Sequence, residues 1–155
     1  ETMNRSWGYN ITDKNYKTEK ELIHYLVKAA GNNANLLMNV GPRPDGTFPD
    51  IAIERYNAMG AWLKTYGETI YGTRGGFIAP RHWGVTTQKG KRLFVHILNL
   101  KDEALYLPIE GKQISSVKIF VDKKPGKFTK VAGGIVLQLG RVPDETAYVV
   151  EVELK

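Results

Sequence analysis

Ser6-Trp7-Gly8-Tyr9 sets an indole and a phenol two residues apart, beside a glycine and ahead of the first helix-forming stretch. A hydrophobic core has no obvious use for that pair in a loop. Carbohydrates present apolar C–H faces and dense hydroxyls, which suit aromatic rings that carry a polar handle. The competing reading is that Trp7 packs beneath its own loop. Asn39 is the second candidate, because it ends the apolar run Asn35-Leu36-Leu37-Met38-Asn39-Val40 just before Gly41-Pro42. The carboxyl ends of parallel barrel strands face the active site, and an amide placed there can hydrogen-bond a sugar hydroxyl. It can equally cap the turn that follows.

Other chemistries find no support in the residue pattern. His24, His82 and His96 fall on a helix, a linker and a strand, with no second His or Cys at ligand spacing, so no metal is expected. No Gly-x-Gly-x-x-Gly follows a strand and no phosphate-loop Lys is present, so no nucleotide cofactor is expected either. Ser6, Ser115 and Ser116 sit in no nucleophile elbow.

The net charge of +6 invites a nucleic-acid reading, but its distribution argues against one. Residues 1–82 hold 10 basic and 8 acidic groups and residues 83–155 hold 12 and 8, so neither part is a basic face. The densest basic stretches, Lys89, Lys91 and Arg92, then Lys123, Lys124 and Lys127, each flank a glycine as solvated hairpin turns do. No apolar run approaches the ~18 to 20 residues of a membrane span. A chain 42% hydrophobic and 25% charged, without cysteine, is expected to fold without disulfides rather than stay disordered.

The elements that must position Trp7, Tyr9 and Asn39 can be read from periodicity. Thr18-Glu19-Lys20-Glu21 is a capping box, followed by the helical stripe Leu22, Ile23, Leu26, Val27, Ala29 and Ala30, with Gly31 as a left-handed stop. Residues 35–40 read as a strand buried on both faces, suited to a parallel sheet. A second helix is expected, capped by Asp50 and ending at Gly67, with Ile53, Tyr56, Met59, Ala61, Leu63 and Tyr66 near helical spacing as its inward stripe. One strand between two helices leaves its edges unpaired, so this part looks like the end of a larger α/β domain. After about residue 80 the pattern changes to short alternating segments at 92–100, 104–109, 117–121, 135–139 and 147–154. Turns are expected at Lys89-Gly90, Glu110-Gly111, Pro125-Gly126 and Gly133-Gly134, the spacing of an antiparallel β-sandwich. The predicted fold class is therefore α/β plus all-β, with one domain over residues 1–82 and a sandwich over 83–155.

Four motifs in order carry a family resemblance: Ser6-Trp7-Gly8-Tyr9-Asn10; Asn35-Leu36-Leu37-Met38-Asn39-Val40-Gly41-Pro42 with Asp45-Gly46 and Pro49; Gly60-Ala61-Trp62-Leu63; and Gly67-Glu68-Thr69-Ile70-Tyr71-Gly72-Thr73-Arg74. Together they resemble the α-L-fucosidases of glycoside hydrolase family 29 through about residues 1–85. The resemblance implies the end of a (β/α)8-like barrel followed by the sandwich, and a retaining exo-glycosidase with an Asp nucleophile and a Glu acid/base. It implies a fucosylated glycan as substrate and no cofactor. The remainder of the barrel would lie upstream or on a separate chain, and a periplasmic, secreted or lysosome-like setting would fit. The family's nucleophile strand has no counterpart here. Glu1 lies six residues before Trp7, three downstream of where the family pattern places the acid/base, so it reads as that acid's neighbour and becomes the acid only if the loop is shortened. Trp7, Tyr9 and Asn39 would form part of the sugar-site wall, and this segment alone would be inactive. The alternative is a non-catalytic carbohydrate-binding or structural sandwich module, with Phe94, Tyr106, Phe120, Phe128 and Tyr148 as its aromatic supply.

Overall fold

A computed structural model describes residues 1–110, 113–143 and 146–155. Helix α1 (Glu19–Gly31) begins at the capping box: the Glu21 amide donates to the Thr18 hydroxyl while the Glu21 carboxylate reaches back to the Thr18 amide. It buries Leu22, Ile23 and Val27. Gly31 is not the left-handed stop that the pattern predicts. It lies inside the helix, buried against Val85, and the left-handed residue is Asn33 at φ 56°. Helix α2 (Asp50–Tyr66) has Pro49 as its N-cap, so Asp50 acts as a first-turn acid and not as the cap. Its buried face is Ala52, Met59, Trp62 and Tyr66, with Tyr56 and Leu63 partly buried beside them; of the expected stripe only Ile53 and Ala61 face outward.

A 3-10 turn (Gly67–Thr69) leads to the strands β1 (Arg74–Gly75), β2 (Gly84–Lys89), β3 (Arg92–Ile97), β4 (Ala104–Leu107), β5 (Ile114–Ile119), β6 (Lys127–Val131), β7 (Gly134–Gln138) and β8 (Tyr148–Leu154). They form two antiparallel sheets, ordered β1-β2-β3-β8-β5 and β4-β7-β6. β1, β2 and β6 are strands beyond those expected. The turn expected at Pro125-Gly126 lies earlier, with Lys123 at φ 57°, and Gly111 of the Glu110-Gly111 turn lies outside the described residues.

The larger sheet is covered on both faces. Leu93, Val95 and Ile97 of β3 pack with Leu105 and Leu107 of β4, Ile135 and Leu137 of β7, and Val150 and Val152 of β8, which fills the space between the sheets. Phe94, next along the strand and so on the opposite face, joins Leu22, Val27, Met59, Trp62 and Tyr66 of the helices. An aromatic series links helix to sheet: Trp62 stacks on Tyr66 at 4.9 Å, Tyr66 on Phe120 at 5.9 Å, and Phe94 meets Phe120 edge-on at 5.8 Å. Arg92 on β3 bonds both Glu68 and Glu151, and Lys123 adds a second cation to Glu151 at 3.2 Å. Burial alone would raise the Glu151 carboxyl, but Arg92 and Lys123 outweigh it and hold it below the usual range. Two of the densest basic stretches are thus partly neutralised at the seam between helix and sheet.

His96 lies on the same face as Phe94 and is fully buried. The Thr87 hydroxyl donates to the Thr69 carbonyl at 2.6 Å, so its oxygen accepts from His96 Nε2–H at 2.9 Å. The other ring nitrogen, Nδ1, has no hydrogen-bond partner among the described residues. Burial pushes this imidazole from the usual 6.5 to about 4, with the Thr69 carbonyl pulling weakly the other way. The depressed folded-state pKa makes the unfolded chain the better proton acceptor, so stability is lost as pH falls from 6.5 toward 4, by about 3 kcal/mol at most. The half-buried His24 is shifted in the same direction, first by burial. Urea midpoints between pH 7 and 4.5 should therefore fall in the parent chain and stay much flatter in His96→Gln. An equal slope in both would remove His96 from the account.

Candidate functional site

Residues 1–3 and 38–40 run side by side in parallel, with Thr2 paired to Asn39. The Asn39 amide donates to the Glu1 carbonyl at 2.9 Å, and the Met3 amide donates to the Asn39 carbonyl at 3.3 Å. The N-terminal ammonium of Glu1 extends the pairing by one bond, donating to the Leu37 carbonyl at 2.8 Å. The expected strand is not buried on both faces: Leu37 is 75% exposed, because among the described residues no third strand or overlying helix covers it. Lys17 fastens the other side of residues 1–3, its amide donating to the Met3 carbonyl at 2.7 Å and its ammonium to the Thr2 carbonyl at 2.6 Å.

Between these anchors residues 5–16 form a loop held by two short polar side chains. Asp13 accepts from the Arg5 amide at 3.0 Å, the Ser6 hydroxyl at 3.3 Å and the Asn15 amide at 3.0 Å. These bonds, the Asn15 amide first, hold its carboxyl below the ordinary range. Asn10 accepts from the Thr12 amide and hydroxyl at 3.0 and 2.8 Å. On this frame Trp7 is 62% exposed and Tyr9 38% exposed, so neither ring packs under the loop. A cleft of about 300 Å³ opens beside Tyr9, lined also by Asp13, Tyr16, Arg43 and Ile51.

The structure brings Trp7 and Asn39 together through the backbone. The Asn39 side-chain amide donates to the Trp7 carbonyl at 2.6 Å and does not cap the Gly41-Pro42 turn. Glu1 sits at the other end of the same pairing, its carboxylate 2.9 Å from the Lys17 ammonium. The Lys17 hydrogen bond, then the Thr2 amide, hold this carboxyl below its ordinary value, which favours the ionised form. Asp13 and Lys17 are the organising residues that sequence reasoning missed. For Asp13 a local signal existed, since a carboxylate that caps the amide two residues on is an Asx turn. Lys17 acts across a long loop and has no such signal.

His24 Nε2 lies 2.5 Å from the Thr146 carbonyl and His96 is bonded to Thr87, which leaves both tied to structure. Among the described residues no group of three or more His, Cys, Asp or Glu is arranged to hold a metal, and no helix is long and apolar enough to cross a membrane. The motif residues Trp62, Glu68 and Thr69 all serve the seam between α2 and the larger sheet.

Residues 1–68 match the family model described as alpha-L-fucosidase. The plasma alpha-L-fucosidase of Rattus norvegicus is 35% identical over 150 residues, covering 88% of this chain and 32% of that protein. The Homo sapiens plasma enzyme is 40% identical over 105 residues, covering 62% and 22%. Among solved structures, alpha-L-fucosidase isoenzyme 1 from Paenibacillus thiaminolyticus superposes with a TM-score of 0.90 at 28% identity, over 99% of this chain and 38% of that one. The Thermotoga maritima alpha-fucosidase in complex with fucose gives 0.82 at 29% identity, over 98% and 38%. The chain therefore spans about a third of the length of the rat relative and of these solved structures. The ordered motifs and the superposition over almost its whole length agree, and the chain belongs to the α-L-fucosidase family.

Proposed function

We propose that this chain is the C-terminal portion of a retaining exo-α-L-fucosidase, which releases terminal α-L-fucose from glycans by double displacement. Residues 1–82 form the end of its catalytic barrel and residues 83–155 its sandwich. The observation that carries the reading is the exposed Trp7 on a loop leaving two parallel strand segments, at the end where a barrel opens to its site. The nucleophile and acid/base belong to the remainder of the barrel, upstream or on a separate chain. This chain's own part is to bind and orient: the Trp7 indole offers a flat apolar face to sugar C–H groups, and Tyr9 adds a ring and a hydroxyl beside the cleft.

The sandwich-module alternative is not favoured. It needs a row of exposed aromatics, whereas Phe94 and Phe120 are buried and Phe128 and Tyr148 are packed against the core between the sheets. Tyr106 is 49% exposed, but its hydroxyl donates to the Gly133 carbonyl at 3.0 Å.

The test is Trp7→Ala in the enzyme carrying the complete barrel. A stacking contact of about 1 to 2 kcal/mol corresponds to a roughly five- to thirtyfold loss of kcat/KM, with the melting temperature nearly unchanged because the ring is exposed. A protein that melts several degrees lower while its folded fraction keeps normal kinetics would defeat the sugar-wall role.

A further inference from the structure

Two independent contacts hold the loop at residues 7–9, one from Asn39 within the 38–40 segment and one from Gly41 in the turn that follows it. The first is the Asn39 side-chain amide on the Trp7 carbonyl at 2.6 Å. The second is Gly41, buried against the backbone of Gly8 and Tyr9 so closely that a Cβ built on it would lie less than 3.0 Å from atoms of both residues. The hydrogen bond pulls the loop down at residue 7, and the missing side chain lets it settle at residues 8 and 9. The main chain of Asn39 is meanwhile fixed to Glu1 and Met3. One residue thereby ties the height of the aromatic loop to the strand pair.

We propose that Asn39 is a positioning residue for Trp7, acting on the substrate through the loop rather than by touching the sugar, with Gly41 as the second half of the clasp. This rests on the reading of Trp7 as part of the sugar wall. It differs from the expectation that Asn39 itself binds a hydroxyl. The side-chain NH2 has two protons, and the one aimed at Trp7 is committed to a neutral carbonyl acceptor at short range. A ring held by one loop loses its orientation readily, and small misplacements of binding groups are costly in rate. Asn39→Asp is the informative change: it keeps the shape and the backbone pairing but replaces the donor with an oxygen that cannot donate to the carbonyl when ionised.

The experiment is a double-mutant cycle in the enzyme carrying the complete barrel, with peptide-resolved hydrogen exchange over residues 5–10. Asn39→Ala and Asn39→Asp should raise KM for an aryl α-L-fucoside about five- to tenfold with a smaller change in kcat, and less than about twofold in a Trp7→Ala background. Exchange over residues 5–10 should rise in both variants and in Gly41→Ala. Multiplicative losses in the Trp7→Ala background would overturn the proposal, because Asn39 would then act on substrate directly. Unchanged exchange would overturn it as well. A kinetically silent Trp7→Ala would sink the sugar-wall reading on its own, and the exchange result would still decide whether the clasp holds the loop.

Discussion

Purified free of any longer form, the 155-residue chain is expected to leave an aryl α-L-fucoside intact. A retaining mechanism needs two carboxyl groups about 5 to 5.5 Å apart, one ionised to attack and one protonated to donate. The carboxylates of Glu1, in the strand pair, and of Asp13, in the loop around Trp7, are already engaged. Glu1 is paired with Lys17 and held below its ordinary range, the opposite of what a general acid requires. Asp13 is spent on the Arg5 and Asn15 amides and the Ser6 hydroxyl, and is shifted in the same direction. Losing a covalent nucleophile typically removes several orders of magnitude in rate, so release of nitrophenol should stay at the buffer blank. Turnover above the blank, surviving removal of any full-length contaminant, would require the catalytic pair to lie within these residues.

The aromatic pair at 7 and 9 and the amide at 39 are legible as candidates because their residue types are informative alone. That Asn39 bonds the Trp7 carbonyl is not legible, since 32 residues separate them and no local pattern encodes the contact. The Thr18 capping box is legible because it closes within one turn. The buried face of α2 is legible in part: Met59 and Tyr66 lie inward as their spacing predicts, whereas Trp62 is drawn in through its stack on Tyr66, which in turn meets Phe120, and Ile53 is left outside although it is more apolar than the buried Ala52.

Strands follow the same division. β3 and β8 are readable from their alternating apolar residues. β6 is hidden because it is an edge strand with Lys127 and Lys130, nearly all of it exposed, and charge on an edge is how a sheet avoids further pairing. β2 is hidden for the opposite reason. It lies between the two layers, and its inward polar residues Thr86 and Thr87 are satisfied by the Ile78 and Thr69 carbonyls, so burial there does not look apolar.

Gly84, at the start of β2, is where the fold tolerates least change, and Gly84→Ala should destabilise the chain more than any other single methyl considered. Its φ of 152° is a conformation that side chains rarely adopt, and a Cβ would lie less than 3.0 Å from the His96 carbonyl oxygen. That oxygen cannot retreat, because β3 is fixed on its other edge by the register with β8, where His96 faces Val149. Nor can Gly84 move out: its amide and carbonyl are both bonded to Arg81, at 3.0 and 2.9 Å, and Leu98 donates to the neighbouring Trp83 carbonyl at 2.8 Å. Backbone strain and overlap together should cost about 4 kcal/mol, near the upper end for a single substitution. For a chain of this length that is a fall of roughly 8 to 16 °C in melting temperature. Gly60→Ala is the paired control, since Gly60 lies within α2 with nothing inside 4 Å of an added Cβ. It should gain about 0.5 to 1 kcal/mol from helix propensity. A Gly84→Ala protein melting within about 2 °C of its parent would mean that β2 and β3 separate there at little cost, and that the sheet begins after Gly84.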